Sequence, residues 1–123
     1  MIIDHCRDIE EFKRLYDSRP LDDGLYSFEH ILNNPHFYCL YDEITGVLKA
    51  YIFINADKDN NLFLSGASVR KNLPDNINAI IKVCNAYPCD MYAETDKKTA
   101  DVVLCKAGFK KIDTNLYKRV KNG

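Results

Sequence analysis

The chain has 123 residues, 46% of them hydrophobic, and its 17 Lys and Arg nearly balance its 18 Asp and Glu. This length predicts one domain over residues 1–123, and the ordinary apolar content with near-zero net charge excludes a disordered chain. The charge balance argues against nucleic acid as a partner, because nucleic-acid-binding domains carry a basic excess. No apolar run approaches the roughly 18 residues of a membrane span, and charged residues interrupt the N-terminus, so we expect a cytoplasmic protein with no membrane partner.

The cysteines do not form a metal-binding pattern. Only Cys84 and Cys89 are close in sequence, and no second pair or nearby histidine completes a zinc set. We therefore predict no metal site, and free thiols that are mostly buried in a reducing compartment. The five cysteines are Cys6, Cys39, Cys84, Cys89 and Cys105.

The first part of the chain predicts a strand and two helices. A short apolar run at residues 1–3 is typical of a strand, and Asp8 is the expected N-cap of a helix. Residues 18–24 favour a loop, and a second helix is expected from Ser27 until Pro35 stops it. The apolar positions of the first helix recur at helical spacing and are Ile9, Phe12, Leu15 and Tyr16.

Aromatic and β-branched residues then predict three successive strands. A hairpin loop at 42–46 separates the first two, and a polar turn at 57–61 leads into the third. Gly66 lies inside the third strand, where a glycine often marks a bulge or a close backbone approach. The predicted strands are residues 36–41, 47–54 and 62–69.

The second half alternates helices with strands. A helix from Pro74 has one apolar stripe, and a second helix ends at Gly108. Between them we expect a strand at 89–94, and after them a hairpin of strands at 109–112 and 116–120. The first stripe comprises Ile77, Ile80, Ile81 and Cys84, and the second comprises Ala100, Val103, Leu104 and Ala107.

The complete order is β-α-α-β-β-β-α-β-α-β-β. Strands cluster in the first half and alternate with helices in the second, so the fold class is α/β, with a mixed sheet covered by helices on both faces.

That order resembles the GNAT superfamily of N-acetyltransferases over essentially the whole chain. The segments that carry the resemblance are residues 89–94 (CDMYAE), the helix that starts near Thr99-Ala100, and the Gly108-Phe109 step before the last hairpin. The resemblance implies an acyl-CoA N-acyltransferase fold, in which a bulged strand, here with Gly66, borders a cleft for acetyl-CoA. It also implies a loop, normally Arg/Gln-x-x-Gly-x-Gly/Ala, whose backbone N–H groups hold the pyrophosphate at a helix N-terminus.

The chain departs from this loop pattern. Residues 73–78 contain no glycine and no basic residue. Pro74 has no N–H to donate, and Asp75 places a negative charge where the pyrophosphate would bind. Arg70 and Lys71 lie just upstream and offer partial compensation; the alternative is a solvated loop. The candidate cofactor-binding residues are Val69, Arg70, Lys71, Asn76 and Asn78.

A second departure concerns acid–base chemistry. The resemblance places the family's general-acid tyrosine at Leu104, and it places a helix position that is often asparagine at Lys97. A leucine cannot protonate a thiolate leaving group. Glu94 ends the strand beside the implied cleft and is the candidate catalytic base; the alternative is a strand-end carboxylate that faces solvent. A Cys–His pair assembled in space is a further alternative.

The aromatic content is high, with eight tyrosines and six phenylalanines. Four aromatic residues on adjoining strands cannot all face one core if side chains alternate strictly. Some of them are therefore expected on the opposite face of the sheet or at the surface, where they would form a protein interface. The alternative is that the chain's own helices cover both faces of the sheet. These four are Tyr38, Tyr41, Tyr51 and Phe53.

Two functional hypotheses follow. The first is a non-catalytic GNAT-like interaction or assembly protein, similar to bacteriophage head-assembly and internal virion proteins, with no cofactor, a protein partner or homo-oligomer, and a location in the host cytoplasm or virion. The second is an atypical N-acyltransferase that uses acetyl-CoA, with Arg70 and Lys71 near the donor phosphates and Glu94 as base. A toxin–antitoxin or host-interfering phage factor is a third possibility that the residues do not separate from the first.

Overall fold

The computed structural model describes residues 1–18 and 26–121. None of the helices in this part of the chain is long and apolar enough to span a bilayer. The helices are α1 (Ile9–Ser18), α2 (Phe28–Leu32), α3 (Leu73–Asn85) and α4 (Lys98–Lys106). The strands are β1 (Ile2–Asp4), β2 (Phe37–Tyr41), β3 (Leu48–Ala56), β4 (Leu62–Ser68), β5 (Met91–Glu94), β6 (Lys110–Asp113) and β7 (Leu116–Arg119).

The predicted order of elements is confirmed at every position. The strands form one sheet in the order β1-β2-β3-β4-β5-β7-β6, in which β4 and β5 pair in parallel. The pairs β1–β2, β2–β3, β5–β7 and β6–β7 are antiparallel. The predicted α/β class with a mixed sheet is therefore correct.

The chain divides into two compact units. The first comprises Met1–Ile54 and Gly66–Asn72, and the second comprises Asn55–Ser65 and Leu73–Gly123. Strand β4 is continuous from Leu62 to Ser68, so its residues contribute to both units.

In the first unit, α1 begins as predicted. The Asp8 carboxylate accepts hydrogen bonds from the amides of Glu10 and Glu11, which satisfies two of the free N–H groups at the helix start. Phe12 is fully buried, but Ile9 is 56% exposed, so its assignment to the buried stripe is wrong. Ile9 is the first helical residue and has no preceding turn to pack with. Of the predicted loop 18–24, Ser18 is instead the last residue of α1, and 19–24 lie outside the described residues.

The aromatic residues of β2 and β3 form the core of the first unit. The Phe12 ring lies 4.7 Å from Phe37 and 5.1 Å from Tyr51, measured between ring centroids. Tyr41 and Phe53 belong to the same buried cluster, whereas Tyr38 is half-buried and alternates to the other side of β2. Three of the four aromatic residues in question thus share one core. The other side of these strands is also buried, through Leu40, Ala50, Ile52 and Ile54.

Gly66 marks a close backbone approach, one of its two predicted meanings. A Cβ atom built at this position would lie 2.2 Å from the carbonyl oxygen of Tyr51. No side chain fits in that space, so only glycine allows β4 to run this close to the main chain of β3.

In the second unit, the buried stripe of α3 is rotated from the predicted one. Ile80 and Cys84 are buried as expected, but Ile77 and Ile81 are only half-buried. Ala79 and Val83 are buried instead. The small Ala79 side chain allows close packing on a side of the helix that lies outside the apolar stripe predicted from the sequence.

The remaining boundaries of the second unit shift by one or two residues. Strand β5 begins at Met91, which pairs with Arg119, and the Asp90 carboxylate before it accepts a hydrogen bond from the Lys121 amide. Gly108 follows α4 with φ +97°, as predicted for a residue that ends a helix. Phe109 is buried before β6 rather than within it, and Ile112 is 52% exposed at an irregular step in the β6–β7 pairing.

Candidate functional site

Helix α3 presents the N-terminus to which the resemblance assigns phosphate binding. Its first turn carries Pro74 and Asp75, and both side chains are exposed. Asn76 is half-buried and engages another residue, whereas Asn78 is exposed. The turn therefore combines a missing donor with a carboxylate, a poor environment for a second negative charge.

The other three candidate cofactor-binding residues lie in the first unit, directly after β4. The Val69 amide donates a hydrogen bond of 2.9 Å to the Lys49 carbonyl, so this N–H is already used within the fold. Val69 packs against the aromatic core of that unit. Arg70 and Lys71 are exposed, and Lys71 has φ +62°. Their charges face solvent at the end of the strand.

Glu94, the candidate base, is the last residue of β5. It pairs with Leu116 of β7 in the strand register, and its side chain is exposed. The following residue, Thr95, donates its amide to the Asn115 carbonyl at 3.0 Å. The backbone of Glu94 is therefore held in the sheet, and its carboxylate is exposed to solvent.

The two positions at which the resemblance implies other residues are Leu104 of α4 and Lys97 at its start. Leu104 is 5% exposed and packs as an ordinary core residue. Lys97 occupies the N-cap of α4 and makes no side-chain cap, which leaves the helix without the usual Ser, Thr, Asp or Asn at this position. The Leu104 side chain has no proton to donate to a thiolate leaving group.

The pairing between β4 and β5 is short. Leu62 pairs with Met91 and Phe63 with Tyr92, and the register ends there. Ser65 and Ala93 lie beyond the last pair.

Sequence reasoning missed a polar pair in the second unit. Tyr117 of β7 donates a hydrogen bond of 2.5 Å to Asp101 Oδ1 on α4. The carboxylate holds the proton on the phenol and raises the pKa of Tyr117 to about 12. Cys105 Sγ lies 3.9 Å from the same oxygen. The sequence signal that could have indicated this pair is the alternation of side chains along β7, which places Tyr117 and Arg119 on the same side of the strand.

Burial affects the acidity of three of the five cysteine thiols. Burial raises the pKa of Cys39 to about 12 and of Cys84 to about 11, and it also raises the pKa of Cys6. These three groups stay protonated at neutral pH, and a thiol is a weak nucleophile and a poor metal ligand. Within residues 1–18 and 26–121, no three His, Cys, Asp or Glu side chains are grouped to hold a metal ion.

The fold of this chain is similar to that of solved GNAT-family acetyltransferases. A GNAT-family acetyltransferase from Streptococcus pneumoniae superposes with a TM-score of 0.64 at 16% identity, over 98% of this chain and 99% of that chain. One from Bacillus anthracis gives 0.65 at 9% identity, over 98% of both chains. A protein from Bordetella pertussis assigned to the same family gives 0.66 at 11% identity, over 91% of this chain and 89% of that chain.

At these identities the similarity establishes the fold alone. The sequence matches no protein-family model, and it matches no curated protein at a significant level.

Proposed function

We propose that this chain is a non-catalytic GNAT-like protein that works through protein–protein interaction or assembly. The observation that carries the proposal is Leu104, a buried hydrocarbon at the position where the fold's acetyltransferases are expected to hold the proton donor. Leucine cannot protonate a thiolate leaving group, so the release of the thiol has no general acid at this position.

The first turn of α3 supports the same conclusion. Pro74 and Asp75 occupy it, and both are exposed at the helix start. A pyrophosphate in that position would approach the Asp75 carboxylate, and two like charges in a shared site repel strongly. The proposal therefore includes no acetyl-CoA and no other cofactor.

Titration calorimetry with acetyl-CoA tests this proposal directly. We expect no heat of binding at millimolar cofactor, with an acetyl-CoA-binding GNAT enzyme as the positive control. A matched double variant, Pro74→Gly with Asp75→Gly, restores an N–H donor and removes the charge. We expect it to bind more tightly than the wild type; micromolar binding by the wild type would overturn the proposal.

The β4–β5 pairing favours a second candidate, an atypical N-acyltransferase. The β4–β5 pairing ends at Phe63 and Tyr92, and in this candidate an acyl-CoA chain would lie along β5 beyond these residues, close to Glu94. The acceptor amine would attack the thioester carbonyl, Glu94 or water would take the amine proton, and solvent would protonate the thiolate. Thiol release with a panel of amines, compared between wild type and Glu94→Gln, separates this candidate from the first.

The bacteriophage part of the proposal rests on resemblance in size and in altered motifs. It places the protein in head assembly or in the virion, with a location in the host cytoplasm before assembly. Capsid or portal genes beside its own gene would support this role, and a metabolic neighbourhood would count against it.

A further inference from the structure

Two cysteine side chains meet at the edge of the sheet where β1 ends. Strand β1 pairs with β2 so that Asp4 lies opposite Cys39, and Cys6 follows Asp4 by two residues. The chain that leaves β1 passes beside Cys39, and the two thiols form a hydrogen bond with each other. Cys39 belongs to the buried aromatic core of the first unit, and Cys6 packs against that core.

The two thiols differ in their access to solvent. Cys6 is half-buried and lines a cavity of about 320 Å³. Ile9 and Phe37 are also part of the cavity wall, and the 56% exposure of Ile9 shows that this wall is open to solvent. Cys39 has no exposed surface. A reagent in solution can therefore reach the Cys6 sulfur and cannot reach Cys39 directly.

The backbone at Cys6 can adjust to a covalent bond between the two sulfur atoms. Cys6 lies between the end of β1 at Asp4 and the start of α1 at Ile9, outside both elements. A disulfide requires a restricted distance between its two Cα atoms, and a residue outside helix and strand can meet that requirement without disrupting regular structure. The Cys6 thiol donates a hydrogen bond of 3.4 Å to the Asp8 carbonyl, and a thiol is a weak donor, so little is lost when the sulfur is oxidised.

We propose that Cys6 and Cys39 are a redox-sensitive pair, which a low-molecular-weight disulfide converts into a reversible Cys6–Cys39 disulfide. The Cys6 thiolate attacks one sulfur of the small disulfide, whose S–S bond breaks, and the leaving thiolate takes up the proton that Cys6 released. The Cys39 thiolate then attacks the Cys6 sulfur and expels the second small thiolate, which takes up the proton from Cys39. The protein loses two electrons and two protons in total, and the small disulfide is reduced to two thiols.

Both thiols react slowly near neutral pH. Burial raises the pKa of Cys6, and the hydrogen bond from Cys39 offsets only part of that shift. Burial also raises the pKa of Cys39 to about 12. Because the thiolate is the reactive form, exchange requires a concentrated oxidant or a mildly alkaline solution. The pair therefore stays reduced when oxidant is scarce.

The new bond would fasten the edge of the sheet. Strand β1 has three residues and lies at the edge next to β2, where strands open most readily. A bond from Cys6 to Cys39 closes a loop that contains α1 and α2, and such a link lowers the entropy of the unfolded chain. We therefore expect oxidation to stabilise the protein. The inference does not depend on the proposed function, because it involves neither Leu104 nor the start of α3.

Oxidation with glutathione disulfide at mildly alkaline pH, followed by peptide mass spectrometry without reduction, tests the proposal. The linkage map of the wild type needs no substitution. Cys39→Ala removes the buried thiol of the second step, and Cys6→Ala removes the accessible thiol of the first. Cys105→Ala is the matched control, because Cys105 is an exposed cysteine on α4. Far-UV circular dichroism verifies that all variants are folded.

We expect the wild type and Cys105→Ala to give peptides linked through Cys6 and Cys39. Cys39→Ala should stop at a glutathione adduct on Cys6, and Cys6→Ala should leave Cys39 unmodified because it is buried. Oxidation should raise the urea midpoint of the wild type, and dithiothreitol should reverse the rise. A wild type in which Cys6 stays reduced, keeps a stable glutathione adduct or pairs with another cysteine would overturn the proposal, and so would a lower urea midpoint on oxidation.

Discussion

Three tyrosines, Tyr41, Tyr51 and Tyr117, hold their protons more tightly than a solvated phenol does, and for Tyr51 the cause is burial. The Asp101 carboxylate raises the pKa of Tyr117 to about 12, and burial raises the pKa of Tyr41 to about 12. The Tyr41 hydroxyl also accepts a hydrogen bond of 2.8 Å from the Arg7 amide. Both phenols are therefore neutral hydrogen-bonding groups across the physiological range, with roles in holding the fold.

These shifts predict a loss of stability at high pH. The unfolded chain releases its phenolic protons near pH 10, while Tyr41 and Tyr117 keep theirs to about pH 12. Because the native state binds more protons in this window, its stability is complete below pH 10 and falls as pH rises towards 12. Urea midpoints measured across the window should decrease steadily.

The variant Asp101→Asn isolates the contribution of the Tyr117 bond. It keeps an acceptor near the phenol but removes the charge, so the pKa of Tyr117 should return towards 10 and part of the alkaline slope should vanish. Ultraviolet titration of tyrosinate measures this directly. An unchanged titration curve in Asp101→Asn would contradict the assignment.

At the scale of elements, one buried cation joins the ends of two helices. Arg119 of β7 is 8% exposed and has no carboxylate partner among the described residues. It donates 2.9 Å hydrogen bonds to the Ala107 carbonyl, at the C-cap of α4, and to Asn85 Oδ1, at the last residue of α3. The C-terminal ends of both helices carry partial negative charge, which compensates the guanidinium.

Replacing this cation should therefore weaken the docking of both helix ends. Arg119→Met keeps much of the side-chain volume but removes the guanidinium donor from the carbonyl of the buried Ala107, at a cost of about 1 to 3 kcal/mol. Arg119→Lys keeps the charge and one donor, so its loss should be smaller. Urea denaturation of both variants gives the comparison, and equal stability of Arg119→Met and wild type would refute the capping role.

The passage of β4 beside β3 depends on one missing side chain. Gly66→Ala would place a methyl group 2.2 Å from the Tyr51 carbonyl oxygen, so the main chain must shift, at a cost of about 2 kcal/mol or more. Gly46→Asn is the control. Gly46 has φ +71° with no atom within 4 Å of its missing Cβ, and asparagine tolerates this conformation. Thermal unfolding of both variants is the measurement. If Gly46→Asn is close to neutral and Gly66→Ala is destabilised, the lack of room for a side chain, and not the backbone angle, explains the glycine at position 66.

At the scale of the whole molecule, the sequence predicts a single domain, and this prediction still awaits a test. The continuity of β4 across the two compact units means that neither unit can unfold without disturbing a strand of the other. We therefore expect one cooperative transition in urea, with coincident midpoints by far-UV circular dichroism and tyrosine fluorescence. Two separated transitions would show that the units unfold independently.

Local chemistry was sufficient to predict the order of all eleven elements, and the resemblance of that order to the GNAT superfamily supplied the expected fold. Helix caps such as Asp8, turn residues such as Gly46 and the spacing of apolar residues act over a few positions, and the sequence displays them directly. The leucine at position 104, where the resemblance implies a tyrosine, is equally visible in the sequence, because it is a matter of residue identity.

Only the tertiary structure decided which side of each element faces inward. Ile9 is exposed while Ala79 and Val83 are buried, since burial depends on the neighbour that covers a position and not on its hydrophobicity alone. The Tyr117–Asp101 bond and the pocket at Phe37 likewise join residues that are distant along the chain. Such contacts arise from packing between elements, which no local pattern encodes.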